Sequence, residues 1–209
     1  MISWALIAMA ASTATPAKAE PTIAPSKWIL HSDIPQSEWK RAATTTFDLM
    51  ISEAGEPIKC DIFVASGSDI LDRTVCTSAM KRARFRPAHD AAGLPVVSVW
   101  RDRVIWQPVG DGTNRWFDGP DIIVGADELI GKKTKMTAVI VAINDNGEID
   151  QCFVAKSSKL QSLDVRACEI ARSAEISTPI TNDKGVMVNG IRSFFVGFRS
   201  GPVSSIVLK

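Results

Sequence analysis

"CDIFVASGSDILDRTVC" spans residues 60–76, and "CFVAKSSKLQSLDVRAC" spans residues 152–168. Each stretch opens and closes on a cysteine, and each holds a serine and a Leu-Asp pair at matching places. Sliding the chain by 92 positions aligns Cys60 with Cys152, Ser66 with Ser158, Leu71-Asp72 with Leu163-Asp164, and Cys76 with Cys168. The same shift brings Gly55-Glu56 onto Gly147-Glu148, Pro87 onto Pro179 and Gly93 onto Gly185, without a gap, over 47–106 against 139–198. These identities fall on turn, cap and cysteine positions, where backbone geometry restricts the choice of residue. The pattern reads as a duplicated unit.

Each copy has the same predicted elements. Phe47, Leu49 and Ile51 alternate with Asp48, Met50 and Ser52, the period of a half-buried strand. A glycine turn follows ("SEAGEP", matched by "NDNGEI"), and then a second strand, giving an antiparallel hairpin. On that second strand Ile58, Cys60, Ile62 and Val64 share one face, as Cys152 and Val154 do in the second copy. Asp69 and Asp72 mark a helix start, where acids suit the positive end of the dipole. Leu71, Val75, Ser78, Ala79 and Arg82 make the helical stripe; Leu163, Ala167, Ile170, Ala171 and Ala174 are its counterpart. A third strand returns after the Gly93 turn as "PVVSVW", and in the second copy as "VMVNGIRSFFVGF". The expected fold class is α+β: two tandem β-β-α-β units, each a small antiparallel sheet with one helix packed on it. The units are 20–106 and 122–198, joined by a linker at 107–121 where Gly, Pro and Asp cluster. A tail, 199–209, carries an apolar run at 203–208 that is either an added edge strand or a frayed end.

Composition bounds the function. The 209 residues are 45% hydrophobic and 22% charged, which suits a packed protein rather than a disordered one. A formal net charge of +1 gives no overall attraction to nucleic acid or an anionic membrane. Residues 1–19 read as a signal peptide: a short apolar run at 4–11, then Ala17-Lys18-Ala19 as an A-x-A cleavage site before Glu20. The n-region of this segment has no Lys or Arg beyond the terminal amine, so an uncleaved anchor is the competing reading. Cleavage removes Lys18 alone among charged side chains and leaves 23 basic and 23 acidic residues. No other stretch has the roughly 20 apolar residues of a spanning helix, so the mature form is expected not to span a membrane.

The four cysteines admit zinc, catalytic thiols or disulfides. Structural zinc brings its ligands in close pairs such as C-x₂-C, and no two cysteines here are closer than sixteen residues. No neighbouring His or Cys-x-x-Cys activates a thiol. An exported chain favours oxidation, and a strand packed under a helix brings Cα atoms within the ~4.4–6.8 Å of a bridge. The duplication selects Cys60–Cys76 and Cys152–Cys168 from the three possible pairings.

A strand, a Gly turn, a strand ending in "ASGSDILD", a helix, "RFRPAHDAAGLPV" and a last strand resemble the TonB C-terminal domain family. Gly55, Ser66-Gly67, Leu71-Asp72, Arg84-Phe85, Pro87-Ala88, Asp90, Gly93 and Pro95-Val96 carry the resemblance in the first copy. Gly147, Ser157-Ser158, Leu163-Asp164, Pro179, Gly185 and Val188 carry it in the second, with Ile176-Ser177 in place of Arg84-Phe85. The membrane anchor and Pro-rich spacer of an energy transducer are not seen in the sequence. The resemblance implies a periplasmic location and a non-enzymatic binding or adaptor role. The partner would be a protein or extended peptide that pairs with a sheet edge, an outer-membrane transporter being one candidate.

The third strand is the expected edge, because it follows the helix and cannot sit inside the hairpin. The candidate partner-binding residues are therefore Val96, Val97, Ser98, Val99 and Trp100, with Ile191 and Phe195 in the second copy. If the two third strands pair with each other instead, a closed structural protein of the envelope is the alternative. "KRARFRP" gathers Lys81, Arg82, Arg84 and Arg86, either as cations at a helix C-terminus or as an anion patch. Trp28, Trp39, Trp100, Trp106 and Trp116 read as packing residues or as a recognition surface. His31 and His89 have no partners in sequence and read as surface residues. No nucleophile, phosphate-loop, metalloprotease or paired-carboxylate motif occurs, so no enzyme activity, cofactor or metal is expected. Sequence leaves the oligomeric state open.

Overall fold

The computed structural model describes residues 14–108, 115–116, 119–129, 131, 134–173, 179–202 and 205–207. β-branched and aromatic residues fill the runs that form strands, and two helices pack on the resulting sheet in a mixed α+β fold. In the N-terminal half, β1 (Glu20–Pro21) and three 3₁₀ turns precede β2 (Ala43–Ile51) and β3 (Pro57–Val64). Helix α1 (Asp69–Arg82), β4 (Phe85–Arg86), β5 (Ala88–His89) and the long β6 (Pro95–Trp106) follow. After β7 (Arg115–Trp116) and β8 (Ile122–Ala126) come β9 (Thr134–Ile143), β10 (Ile149–Lys156) and α2 (Gln161–Ser173). The chain ends on β11 (Gly190–Ser200) and β12 (Ser205–Val207).

The halves share one sheet, in the order β10-β9-β11-β6-β2-β3. Along this order neighbours within each half are antiparallel, whereas β6 and β11 run parallel over residues 97–99 and 190–192, as β8 and β11 do over 122–126 and 196–200. This overturns the expectation of a free third-strand edge: both third strands lie inside the sheet, and the outer edges are the second strands, β3 and β10. Close approach at this join needs Gly190, since a Cβ there would stand 2.5 Å from the Val97 carbonyl oxygen.

The register recurs at a shift of 92. Leu49 pairs with Cys60 and Trp100; Val141 pairs with Cys152 and Arg192. Even the bulges match, with Ile58 and Phe63 skipped in β3 and Asp150 and Ala155 skipped in β10. The bulge at Ile58 breaks the expected alternation. Ile58 joins the core under α2, while Cys60 and Ile62 join the core under α1.

The helices cover opposite faces. Phe47, Leu49, Ile51, Leu71, Val75 and Ala79 form the α1 core together with Ile140 and Ile191 from the other half. Val139, Val141, Ile143, Leu163 and Ala167 form the α2 core together with Met50, Val97 and Val99. Directly paired residues point to the same face, so the odd-numbered residues of β2 face α1 and those of β9 face α2. β2 is therefore buried on both faces, not half-buried as its alternation suggested; Asp48 is 3% exposed and Met50 2%. Fully burying an apolar side chain of this size contributes roughly 1.5–3 kcal/mol.

Other local expectations shift slightly. Ser68, not Asp69, caps α1, its Oγ accepting from the Leu71 amide at 3.4 Å. The Leu-Asp motif acquires a physical role: Asp72 accepts from Thr45 Oγ1 and the Ser66 amide, and Asp164 accepts from Thr137 Oγ1 and the Ser158 amide. Each aspartate ties its helix to the first strand and to the preceding loop. β11 begins at Gly190 rather than near 186, where Met187 bridges Thr181 instead. The linker supplies β7, paired to β6, and the tail supplies β12, paired to β8. Ala174, Ile176, Ser177 and residues 1–13 of the leader lie outside the described residues. Both expected disulfides are formed, Cys60–Cys76 and Cys152–Cys168, with Cα separations of 5.5 and 5.8 Å.

Candidate functional site

Beyond residues 99 and 192 the two parallel strands part, β6 turning to β7 and β11 to β8. A cleft of about 310 Å³ opens in the wedge, lined by Trp100, Arg101, Asp102 and Arg103 of β6, Ser193 and Phe195 of β11, and Asp121 and Lys18. Alternation along β6 sends Trp100 and Asp102 to the α1 face and Arg101 and Arg103 to the other. Trp100 Nε1 donates to Asp102 Oδ2 at 3.2 Å. Lys18 lays its ammonium over both rings, 5.4 Å from the Trp100 centroid and 5.1 Å from that of Phe195.

Behind the cleft lies a buried charge network. Arg101 donates to Asp48 through Nε at 2.7 Å and Nη2 at 2.8 Å, and Arg192 Nη2 donates to Asp48 Oδ2 at 3.2 Å. The Arg101 guanidinium stacks 3.4 Å from the Phe63 ring centroid. Arg192 is 2% exposed, and burial holds its guanidinium below the usual arginine range despite the nearby Asp48 charge. Part-buried Asp121 bonds to β11 twice, its amide donating to the Phe195 carbonyl and its Oδ2 accepting from the Phe195 amide, both at 2.7 Å. Burial raises the Asp121 carboxyl above the usual carboxylate range, against the pull of the Phe195 amide and of Arg101.

A second surface lies at the sheet's outer edge. Between β10 and α2 runs an open groove of about 400 Å³, floored by Cys152 and Cys168 and walled by Val154, Val165, Asp164 and Arg172. Val154 is 40% exposed and Val165 53%, large fractions for apolar side chains. The opposite edge strand, β3, instead carries the Lys59–Asp61 ion pair at 2.9 Å.

The candidates named from sequence divide between these places. Val97, Ser98, Val99 and Ile191 are buried at the β6–β11 join, and Val96 pairs with Ala88 of β5, so none of them offers an open edge. Trp100 and Phe195 come together in the cleft. The basic cluster disperses. Arg82 forms a two-bond pair with Asp33 at 2.6 and 2.8 Å and also donates to the Trp28 carbonyl. Arg84 donates to the carbonyls of Lys81 and Ala83 at the end of α1, Arg86 pairs with Glu20, and Lys81 is exposed. Trp28 and Trp106 are core residues, whereas Trp39 and Trp100 are half-buried. His31 is exposed and stacks on Trp39, and His89 exchanges backbone hydrogen bonds with Ala17.

Asp48, Arg192 and Asp121 were missed, and Arg101 was read only as one of the alternate side chains of a third-strand edge. One signal was present: at the shift of 92, Asp48 aligns with Ile140, Arg101 with Ser193 and Arg192 with Trp100, so these charges stand where the sequence self-similarity breaks. The described residues contain no group of three or more His, Cys, Asp or Glu placed to hold a metal, and no helix among them is long and apolar enough to cross a membrane. No family model matches the chain, and neither a curated protein nor a solved structure matches it.

Proposed function

We propose that this is a non-enzymatic binding or adaptor protein of the periplasm that takes an extended peptide on the outer edge of β10. It is further inferred to be a tandem duplication of a β-β-α-β unit, exported by its N-terminal segment and similar to the TonB C-terminal domain. The recurrence of register and bulges at a shift of 92 supports the duplication. The two disulfides and the A-x-A spacing support export.

The observation that carries the binding reading is β10 itself. It ends the sheet order, and beside it the groove presents Val154 and Val165 to solvent. A strand added there draws affinity from main-chain hydrogen bonds and specificity from alternate side chains over the groove. A displayed library of linear peptides selects for such ligands. The expected ligands lose at least about tenfold in affinity on Val154→Lys or Val165→Glu, and they slow hydrogen exchange of β10 amides. Selected peptides that protect other strands, or that bind both variants as well as the parent, overturn the reading. A second reading, a structural envelope protein with no peptide partner, is favoured by the pairing of the two third strands. A selection that enriches no peptide supports it.

A further inference from the structure

The cleft between β6 and β11 already holds an occupant, and the occupant belongs to the chain. Residues 16–19 are built into the fold: Pro16 and Ala19 are buried, and Ala17 exchanges two backbone hydrogen bonds with His89, at 2.9 and 2.8 Å. This anchoring places the Lys18 ammonium within ~6 Å of two ring centroids, the range of a cation–π contact. Two carboxylates, Asp102 and Asp121, line the same cleft.

The arginines of the lining do not reverse this preference. Arg101 commits two of its donors to Asp48 and its plane to Phe63. Arg103 directs Nε to Thr46 Oγ1 at 3.3 Å. Apart from Lys18, the charged lining is two arginines, Arg101 and Arg103, and two carboxylates, Asp102 and Asp121. The π faces of Trp100 and Phe195 then decide the sign, and they favour a cation.

We propose that the cleft is a binding site for an alkylammonium group, with Lys18 as its built-in occupant and competitor. A lysine side chain of a partner and a free linear amine share this chemistry. Lys18 lies in the Ala17-Lys18-Ala19 segment, so export cleavage before Glu20 takes the occupant away and leaves the cleft open. The site does not depend on the β10 reading, because the two surfaces share no residue.

The test uses the full chain, its Lys18→Ala variant and its Lys18→Met variant, which keeps most of the stem without the charge. Each is titrated with n-butylammonium, Nα-acetyl-lysine N-methylamide and n-butyrate, with tryptophan fluorescence and thermal midpoint as readouts. The expected result is at least a tenfold tighter response to the two ammonium probes in both variants than in the parent, abolished by adding Trp100→Leu. Tighter uptake of the lysine derivative assigns the group to a peptide, and tighter uptake of butylammonium assigns it to a free amine; both support the site. An equal response of parent and variants, a preference for butyrate, or no response in a folded Lys18→Met variant overturns the proposal.

Discussion

Asp48 holds two arginines that come from different halves of the chain. Its removal leaves both guanidiniums in a low-dielectric interior, and breaking a buried pair in this way costs about 3–5 kcal/mol. Asp48→Ala is therefore expected to lower the urea-denaturation free energy by that amount, far beyond an exposed Asp→Ala change. A loss under about 1 kcal/mol indicates that water reaches the network. Asp33 makes a different prediction. The two hydrogen bonds from Arg82 lower its carboxyl from the usual 3.8 to about 2, with the Leu30 amide and Ser78 assisting against partial burial. A carboxyl whose folded value is depressed stabilises the fold above its unfolded value, and that stability drains as pH falls through the folded value. The window here is about pH 4 to 2, and the contribution is about 1 kcal/mol once solvent screening is allowed for. Denaturation of the parent and of Asp33→Asn at pH 5 and pH 2.5 measures it; the gap between them closes at the lower pH.

At the scale of the elements, each disulfide joins an edge strand to the helix beside it. Closing a loop of about 15 residues contributes about 3 kcal/mol through chain entropy. Replacing Cys60 and Cys76 together by alanine is expected to cost about that much in equilibrium unfolding. Peptide mapping without reductant is expected to find one bridge in each half. The join of β6 to β11 rests on Gly190, where a side chain meets the Val97 carbonyl and Ile180. Gly190→Val is expected to cost more than about 3 kcal/mol, since the obstructing atom is backbone and a compact core cannot yield. The same substitution at Ser98, its counterpart 92 positions earlier, makes a useful control, because that site already accommodates a side chain.

Among the described residues, two α-helices lie on opposite faces of one sheet, and each core draws residues from both halves. Such a chain has no internal boundary at which half of it can melt alone. Calorimetry is expected to give one transition, with calorimetric and van't Hoff enthalpies equal. Residues 20–106 and 122–209 expressed separately are each expected to remain unfolded, because Ile140 and Ile191 complete the α1 core while Met50, Val97 and Val99 complete the α2 core. Two resolved transitions, or a folded half, contradict this.

Local order was legible in the sequence because it depends on neighbours. Glycine turns, hairpins, helix stripes and the cysteine spacing each reflect backbone geometry over fewer than about 20 residues. The 92-residue shift in the sequence then placed the second disulfide by analogy with the first, and both are formed. What joins the two halves was not legible, because contact between β6 and β11 is set by long-range packing rather than by local pattern. That join turned the expected third-strand edge into the middle of a sheet and left β3 and β10 at its outer edges. It also buried Asp48, which an alternating strand assigns to solvent, and added Arg192, 144 residues away, to the Arg101 that faces it across β2 and β6. The cleft exists only because two parallel strands meet and then part, and a periodic pattern holds no record of where two strands diverge.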